Sequence, residues 1–318
     1  MAEHFREDNV AAVGVRLDAE HPDGMIFDPH QPQLRVTDLG VVRGDGIFET
    51  MHVLDGHVRK YDAHLERLRR SARMLELGIP PESAWRAAVE LGLEEYRARG
   101  GVPEELMVRL TATRGVDGEP ASDDPEYAGT YWALLTPAPD WAKADQAKQF
   151  SVTLLDRGFD ADVAERAPWL LLGAKTLSYA INMASKRWAE AHGHDDVIFH
   201  TTDGQLLEGP NSTVLLVNRR GEGETPQVVT PVLEAGVLPG TTQGAVFAGA
   251  ARAGWDLGYG PLTPQQLFDA DHVFLAASVR GVVPVWRVDE TEMAVDDEIT
   301  EALRGFLAED LPVSHPGE

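Results

Sequence analysis

A proline-bearing polar stretch near the middle of the chain, Pro137-Ala138-Pro139-Asp140-Trp141-Ala142-Lys143-Ala144-Asp145-Gln146, most limits how this sequence can fold. Proline fixes its own φ and donates no backbone hydrogen bond, so the stretch reads as a linker. The 318 residues are about twice a typical domain. The break therefore predicts an N-terminal domain over 1–136, a linker over 137–149 and a C-terminal domain over 150–318.

Each half mixes helical and strand periodicity. Leu65, Leu68, Ala72 and Leu75 recur at helical spacing and predict a helix over Tyr61 to Leu77, ended by Gly78 and Pro80; a second covers Glu82 to Arg99. Strands are expected at Gly46 to Val53, Leu106 to Thr113 and Thr130 to Thr136. The second half opens with a strand, Ser151 to Leu155, followed by an apolar run whose helix continues from Lys175 through Ala180, Ile181, Ala184 and Trp188. Asp196 to Thr201 and Ser212 to Val217 read as strands flanking an Asp203-Gly204 turn. Gly240-Thr241-Thr242-Gln243 opens a further helix that runs to Arg252. The segment after Leu311 is polar and proline-rich, and is expected to fray.

Charge and composition exclude several classes of function. With 52 acidic against 28 basic residues the net charge is −24, which repels nucleic acid and anionic membrane surfaces. The chain has no cysteine, hence no disulfide and no thiolate metal site, and no metal is expected. Met1 to Val10 lacks the apolar core of a signal peptide, and no run approaches the roughly 20 apolar residues of a membrane span. The expectation is a soluble, cytoplasmic protein acting on a small molecule.

Lysine is scarce: five residues, at 60, 143, 148, 175 and 186, against 23 arginines. Four sit among polar neighbours. Lys175 lies in Trp169-Leu170-Leu171-Leu172-Gly173-Ala174-Lys175, where desolvation favours the neutral amine. An unperturbed lysine has a pKa of about 10.4, and a nucleophilic one must be brought below that. The alternative is a lysine snorkelling at a helix start. Thr241 and Thr242 add two hydroxyls to a helix start, where unpaired N–H groups and the positive end of the dipole favour an anion; ordinary capping is the competing account. Glu208, in Leu206-Leu207-Glu208-Gly209-Pro210-Asn211, is a carboxylate beside a rigid Gly-Pro step, suited to pairing with a cationic ring nitrogen.

Taken in order, Gly44-Asp45-Gly46-Ile47-Phe48-Glu49-Thr50, His64-Leu65-Glu66-Arg67-Leu68, Lys175, Glu208-Gly209-Pro210-Asn211 and Gly240-Thr241-Thr242-Gln243 resemble the motifs of the fold-type IV pyridoxal-phosphate enzymes. These include branched-chain and D-amino-acid aminotransferases and 4-amino-4-deoxychorismate lyases. The resemblance implies a two-domain α+β fold of the D-amino-acid aminotransferase type, a homodimer, and pyridoxal 5′-phosphate as cofactor. It makes Lys175 the lysine that binds the cofactor covalently and carries protons, and Glu208 the partner of the pyridine nitrogen. Arg67, gripping bidentately, joins Thr241, Thr242 and Ser278 as phosphate ligands.

For the reaction itself the resemblance points to Thr50, similar to the threonine of aminodeoxychorismate lyases at this place, as a proton relay to the departing enolpyruvyl group. Phe48 is expected at the substrate, and Arg280 and Arg43 are the candidates for its carboxylate anchor. The loop after Thr113-Arg114-Gly115 lacks the Arg-x-His pair usual in D-amino-acid aminotransferases. The expectation is thus a lyase that releases pyruvate and 4-aminobenzoate, a folate precursor. The alternatives are a class IV aminotransferase of D-amino-acid or branched-chain type and a catalytically silent protein that binds the cofactor.

Overall fold

A computed structural model describes residues 12–219, 221 and 224–309. The polar N-terminus and the tail expected to fray lie outside the described residues. The chain divides into two compact units, one of residues up to Pro139 with Ala174–Ser178, the other of Asp140–Gly173 with the residues from Tyr179 onward.

The first unit is an antiparallel sheet with helices on one face. Its elements are β1 (Val13–Leu17), β2 (Met25–Phe27), α1 (Leu39–Arg43), β3 (Gly46–Leu54), β4 (His57–Val58), α2 (Tyr61–Met74), α3 (Glu82–Ala98), β5 (Glu105–Thr113) and β6 (Thr130–Pro137). The strand order is β2-β1-β6-β5-β3-β4. Side chains alternate across a strand, and β3 uses both faces. Ile47, Glu49, Met51 and Val53 are buried on the side where Glu49 meets α2, which contributes Leu65, Leu68 and Ala72 to the same core. Phe48, Thr50 and His52 occupy the opposite face.

The second unit contains α4 (Asp140–Gln146), β7 (Phe150–Asp156), α5 (Val163–Arg166), α6 (Ala180–Ala191), β8 (Asp196–His200), β9 (Thr213–Asn218), β10 (Gln227–Pro231), α7 (Thr241–Arg252), β11 (Asp256–Gly260), α8 (Pro264–Phe268), β12 (His272–Ala277), β13 (Gly281–Val288), β14 (Thr291–Glu292) and α9 (Asp297–Ala308). Its mixed sheet runs β11-β10-β9-β12-β13-β7-β8, with β14 on β13. Both faces are covered. Leu215, Val217, Phe274 and Val282 pack with Val246, Phe247, Leu303 and Phe306 of α7 and α9, and Val214, Leu216, Val273, Leu275 and Val285 form the core on the other face with Leu267 of α8.

Two segments depart from expectation. Most of the anticipated linker is helix α4, with Ala142 buried. The prolines precede the helix, where a missing N–H costs nothing, and the alanines and glutamine that follow favour it. The apolar run before Lys175, by contrast, is not the expected helix. After one 3₁₀ turn at Pro168–Leu170, Leu171 and Gly173 adopt positive φ of 55° and 81°. Residues 174–178 then run extended along the start of β3, and the helix begins only at Ala180. The Phe48 N–H donates to the Lys175 carbonyl at 3.1 Å and the Leu177 N–H to that of Gly46 at 2.8 Å. Backbone groups of β3 that would otherwise lack partners thus draw the segment out of helix. Within that run Trp169 is 75% exposed and Leu170 is exposed as well. Among the described residues no helix is long and apolar enough to cross a membrane.

Candidate active site

In the first unit a buried carboxylate organises the charged groups. Glu49, fully buried on β3, accepts from Arg67 Nε at 2.7 Å and Nη2 at 2.8 Å, and His64 Nδ1 lies 2.7 Å from its Oε2. Histidine and arginine reach one acceptor because they stand three residues apart on α2. Burial opposes ionisation of Glu49, but the charge and hydrogen bonds of Arg67 and the bond from His64 outweigh it and hold the carboxyl well below the usual range. Burial pushes His64 below the ordinary imidazole range; Glu49 opposes the shift, and the cations Arg67 and Lys175 add to it. A neutral His64 donates its Nδ1–H to the carboxylate. The Nε–Nη2 edge of Arg67 is bidentate to Glu49, because the two carboxylate oxygens match that edge inside the core.

Lys175 is held by its backbone, whose N–H donates to the Ser71 hydroxyl of α2 at 3.0 Å while its carbonyl accepts from Phe48. The Lys175 Nζ stands 4.5 Å from the centroid of the Phe48 ring, and the Arg109 guanidinium 5.0 Å from that same centroid. Thr50 pairs in register with Arg109, and Phe48 with Thr111. A primary amine and a guanidinium thus stand near a single aromatic ring, with Thr50 paired to Arg109 across the neighbouring strand. Sequence reasoning missed Arg109. Its signal, a lone cation inside an otherwise uncharged stretch of strand, becomes legible only once the β3–β5 register puts it opposite Thr50. Arg43, the other first-half candidate, ends the short helix α1 with its side chain exposed.

In the second unit the start of α7 has the character of an anion cradle. Its N-cap is Gly240, which supplies no side-chain cap, so the first N–H groups of the helix have no intrahelical acceptor. A Cβ on Gly240 would lie 2.3 Å from Thr213 Oγ1, so only glycine fits. Thr241 and Thr242 are buried there, and the Thr241 hydroxyl is 3.5 Å from that of Ser278. Glu208 Oε1 accepts from the Leu238 N–H at 3.3 Å. Nearby, Asn182 Nδ2 donates to the Pro210 carbonyl at 2.6 Å, and the Tyr179 hydroxyl donates to it as well. Arg157 stacks 4.7 Å from the Phe199 ring centroid; burial lowers its pKa, and the charges of Glu208 and Tyr179 oppose that. Arg157 was also missed, and nothing in its local sequence marks it.

Arg280 requires a correction. It is buried, with Nη1 donating to Asp196 Oδ2 at 2.9 Å, Nε 3.3 Å from Asp145 Oδ2, and its guanidinium over Phe150. The guanidinium is 4% exposed and its charge is already matched by two carboxylates, which disfavours it as the anchor of a substrate carboxylate.

Residues 46–288 match the family described as Amino-transferase class IV, and the chain belongs to it. It is 39% identical over 268 residues to a bifunctional aminodeoxychorismate lyase / D-amino acid transaminase of Mycobacterium tuberculosis, covering 84% of this chain and 90% of that protein. Among solved structures it is similar to the fold IV transaminase CpuTA1 of Curtobacterium pusillum, at TM-score 0.84 and 39% identity over 93% of this chain and 99% of that one. A PLP-bound hypothetical aminotransferase of Mycobacterium tuberculosis superposes at TM-score 0.84 with 36% identity, covering 94% and 98%. The protein has the α+β fold-type IV architecture and is a pyridoxal-phosphate-dependent enzyme, a lyase or an aminotransferase. The residues present suit that cofactor: the uncapped α7 start with its three hydroxyls suits a phosphate, and Glu208 suits a protonated nitrogen.

Proposed function

We propose that the enzyme is a 4-amino-4-deoxychorismate lyase releasing pyruvate and 4-aminobenzoate, and that the same groups support transamination of D-amino acids. The observation that carries this reading is the placing of Lys175 and Arg109 over one Phe48 ring with Thr50 opposite Arg109. Both reactions start from a molecule bearing an amine and a carboxylate, and the elimination also needs a proton donor for its leaving oxygen. The second activity is favoured by the relative from Mycobacterium tuberculosis, whose name joins the two.

In this reading Lys175 would hold the cofactor covalently, and its amine, when free, would take the proton from the adjacent substrate carbon. Bound pyridoxal phosphate supplies the electron sink for that carbon. Glu208, fixed by the Leu238 N–H, keeps the ring nitrogen protonated. Thr241, Thr242 and Ser278 would bind the phosphate, and Arg67, whose Nε and Nη2 also serve Glu49, is the further candidate ligand. Arg109 replaces Arg280 and Arg43 as the carboxylate anchor, and Phe48 is the platform on which amine and guanidinium are spaced. The Thr50 hydroxyl would relay to the departing enolpyruvyl oxygen the proton that Lys175 removes, and loss of pyruvate would aromatise the ring.

We also infer a cytoplasmic homodimer, as is typical of the family, which light scattering on the purified protein would check. The deciding experiment supplies 4-amino-4-deoxychorismate in one reaction and D-alanine with 2-oxoglutarate in another. Release of pyruvate and 4-aminobenzoate in the first supports the lyase. Amino transfer in the second with no 4-aminobenzoate in the first leaves an aminotransferase alone.

A further inference from the structure

The reassigned Arg280 closes a three-residue hairpin loop, Ser278-Val279-Arg280, that joins β12 to β13 and ends on Gly281 at φ 75°. Short loops of this kind hold their shape through turn geometry and neighbouring contacts. Here the contacts come from two distant parts of the chain. Arg280 Nη1 donates to Asp196, the first residue of β8, whose other oxygen accepts from the Val197 N–H at 3.0 Å and cannot swing away. Arg280 Nε faces Asp145 on α4, and the next residue, Gln146, donates through Nε2 to the Val279 carbonyl at 3.3 Å. Gln146 is fixed in turn, its carbonyl accepting from Arg304 Nη2 at 2.5 Å. Lys186 Nζ, 3.8 Å from Asp196, and Lys148 Nζ, 3.3 Å from Asp145 Oδ1, add two further cations, so the two aspartates face three. Two of the three loop residues are thereby anchored. The third is Ser278, whose hydroxyl faces Thr241.

We propose that Arg280 is a positioning residue for cofactor binding: with Asp145 and Asp196 it holds the loop so that the Ser278 hydroxyl meets a phosphate monoester at the start of α7. The inference rests on the reading of Thr241, Thr242 and Ser278 as phosphate ligands. A buried ion pair adds little net stability over an apolar replacement but holds its members in one geometry, which is the task of an anchor; the contact of Arg280 Nε with Asp145 is an ion pair rather than a hydrogen bond.

The test compares pyridoxal 5′-phosphate with pyridoxal, which lacks the phosphate, on apoprotein, reading dissociation constants from quenching of tryptophan fluorescence. Arg280→Met would leave Asp196 buried beside an apolar group and threatens the fold. Asp145→Asn and Arg280→Lys are used instead, since the first keeps Arg280 on Asp196 and the second keeps the charge while losing the fork that reaches both carboxylates. Each variant should weaken pyridoxal 5′-phosphate by about tenfold, the factor that a lost interaction of about 1.4 kcal/mol produces. Pyridoxal binding should stay at the wild-type value. Equal weakening of both ligands, or no change in either, overturns the inference while a wild-type preference for the phosphate leaves the ligand assignment standing. If wild type binds both ligands alike, the phosphate reading falls and this inference with it.

Discussion

Glu49→Gln removes the charge of the most enclosed carboxylate in the first unit while keeping its size, and its cost follows from the three contacts it makes. Arg67 donates twice and His64 once, all at 2.7–2.8 Å. An amide oxygen in the Oε1 place keeps one of the three bonds and in the Oε2 place two, so one to two charge-assisted bonds are lost at about 1.5–3 kcal/mol each. The loss, about 1.5–6 kcal/mol, brackets the roughly 3–5 kcal/mol typical of removing one partner from a buried ion pair. The wild-type protein should also carry a pH signature. Glu49 has a depressed folded pKa, so its contribution is complete above the unfolded value of 4.5 and is lost as pH falls below that. His64 is likewise depressed, so the unfolded state takes up a proton first and stability declines as pH drops through 6.5. Urea unfolding at pH 8 should show the full deficit of the variant. Wild type at pH 5.5 should be less stable than at pH 8. A variant within about 0.5 kcal/mol of wild type, the range of ordinary surface changes, would refute the central place given to Glu49.

Three further outcomes concern the chemistry. Thr50→Val keeps the β-branched shape of the strand residue and deletes the hydroxyl; 4-aminobenzoate release should fall 10- to 100-fold, about 1.4–2.7 kcal/mol of barrier, with transamination of D-alanine little changed. Arg109→Leu should lower kcat/KM for both substrates by roughly 10- to 100-fold, mainly through KM, as expected of a lost charge-assisted carboxylate contact of about 1.5–3 kcal/mol; an unchanged KM would remove Arg109 from the site. Glu208→Gln should leave pyridoxal 5′-phosphate affinity nearly intact while slowing turnover, measured by fluorescence titration beside steady-state rates, and a loss of affinity alone would contradict its electronic role.

The helices α2 and α3 were legible because their apolar residues repeat at helical spacing over many turns, with Gly78-Ile79-Pro80 between them. β3, β5 and β6 were legible as apolar runs. The start of α7 could be read from Gly240 followed by two threonines. The 174–178 segment could not, because its extended form comes from pairing with β3, a partner far away in sequence that local propensity does not report. Arg280 misled for a related reason: its nearness to Ser278 suggested a ligand, whereas its partners, Asp145 and Asp196, lie more than 80 residues away. Arg109 and Arg157 likewise acquire meaning only from what stands across from them, and no motif marks either.

All of the proposed chemistry depends on which amine carries the cofactor. The protein reconstituted with pyridoxal 5′-phosphate should absorb visible light, and borohydride should bleach that band and fix the cofactor irreversibly to one peptide. Proteolysis and mass spectrometry would then read the modified position. The label should fall on the peptide containing Lys175, whose amine stands over Phe48, and Lys175→Ala should lose labelling completely. Labelling at Lys186, or a Lys175→Ala variant that is fixed as efficiently as wild type, would contradict it.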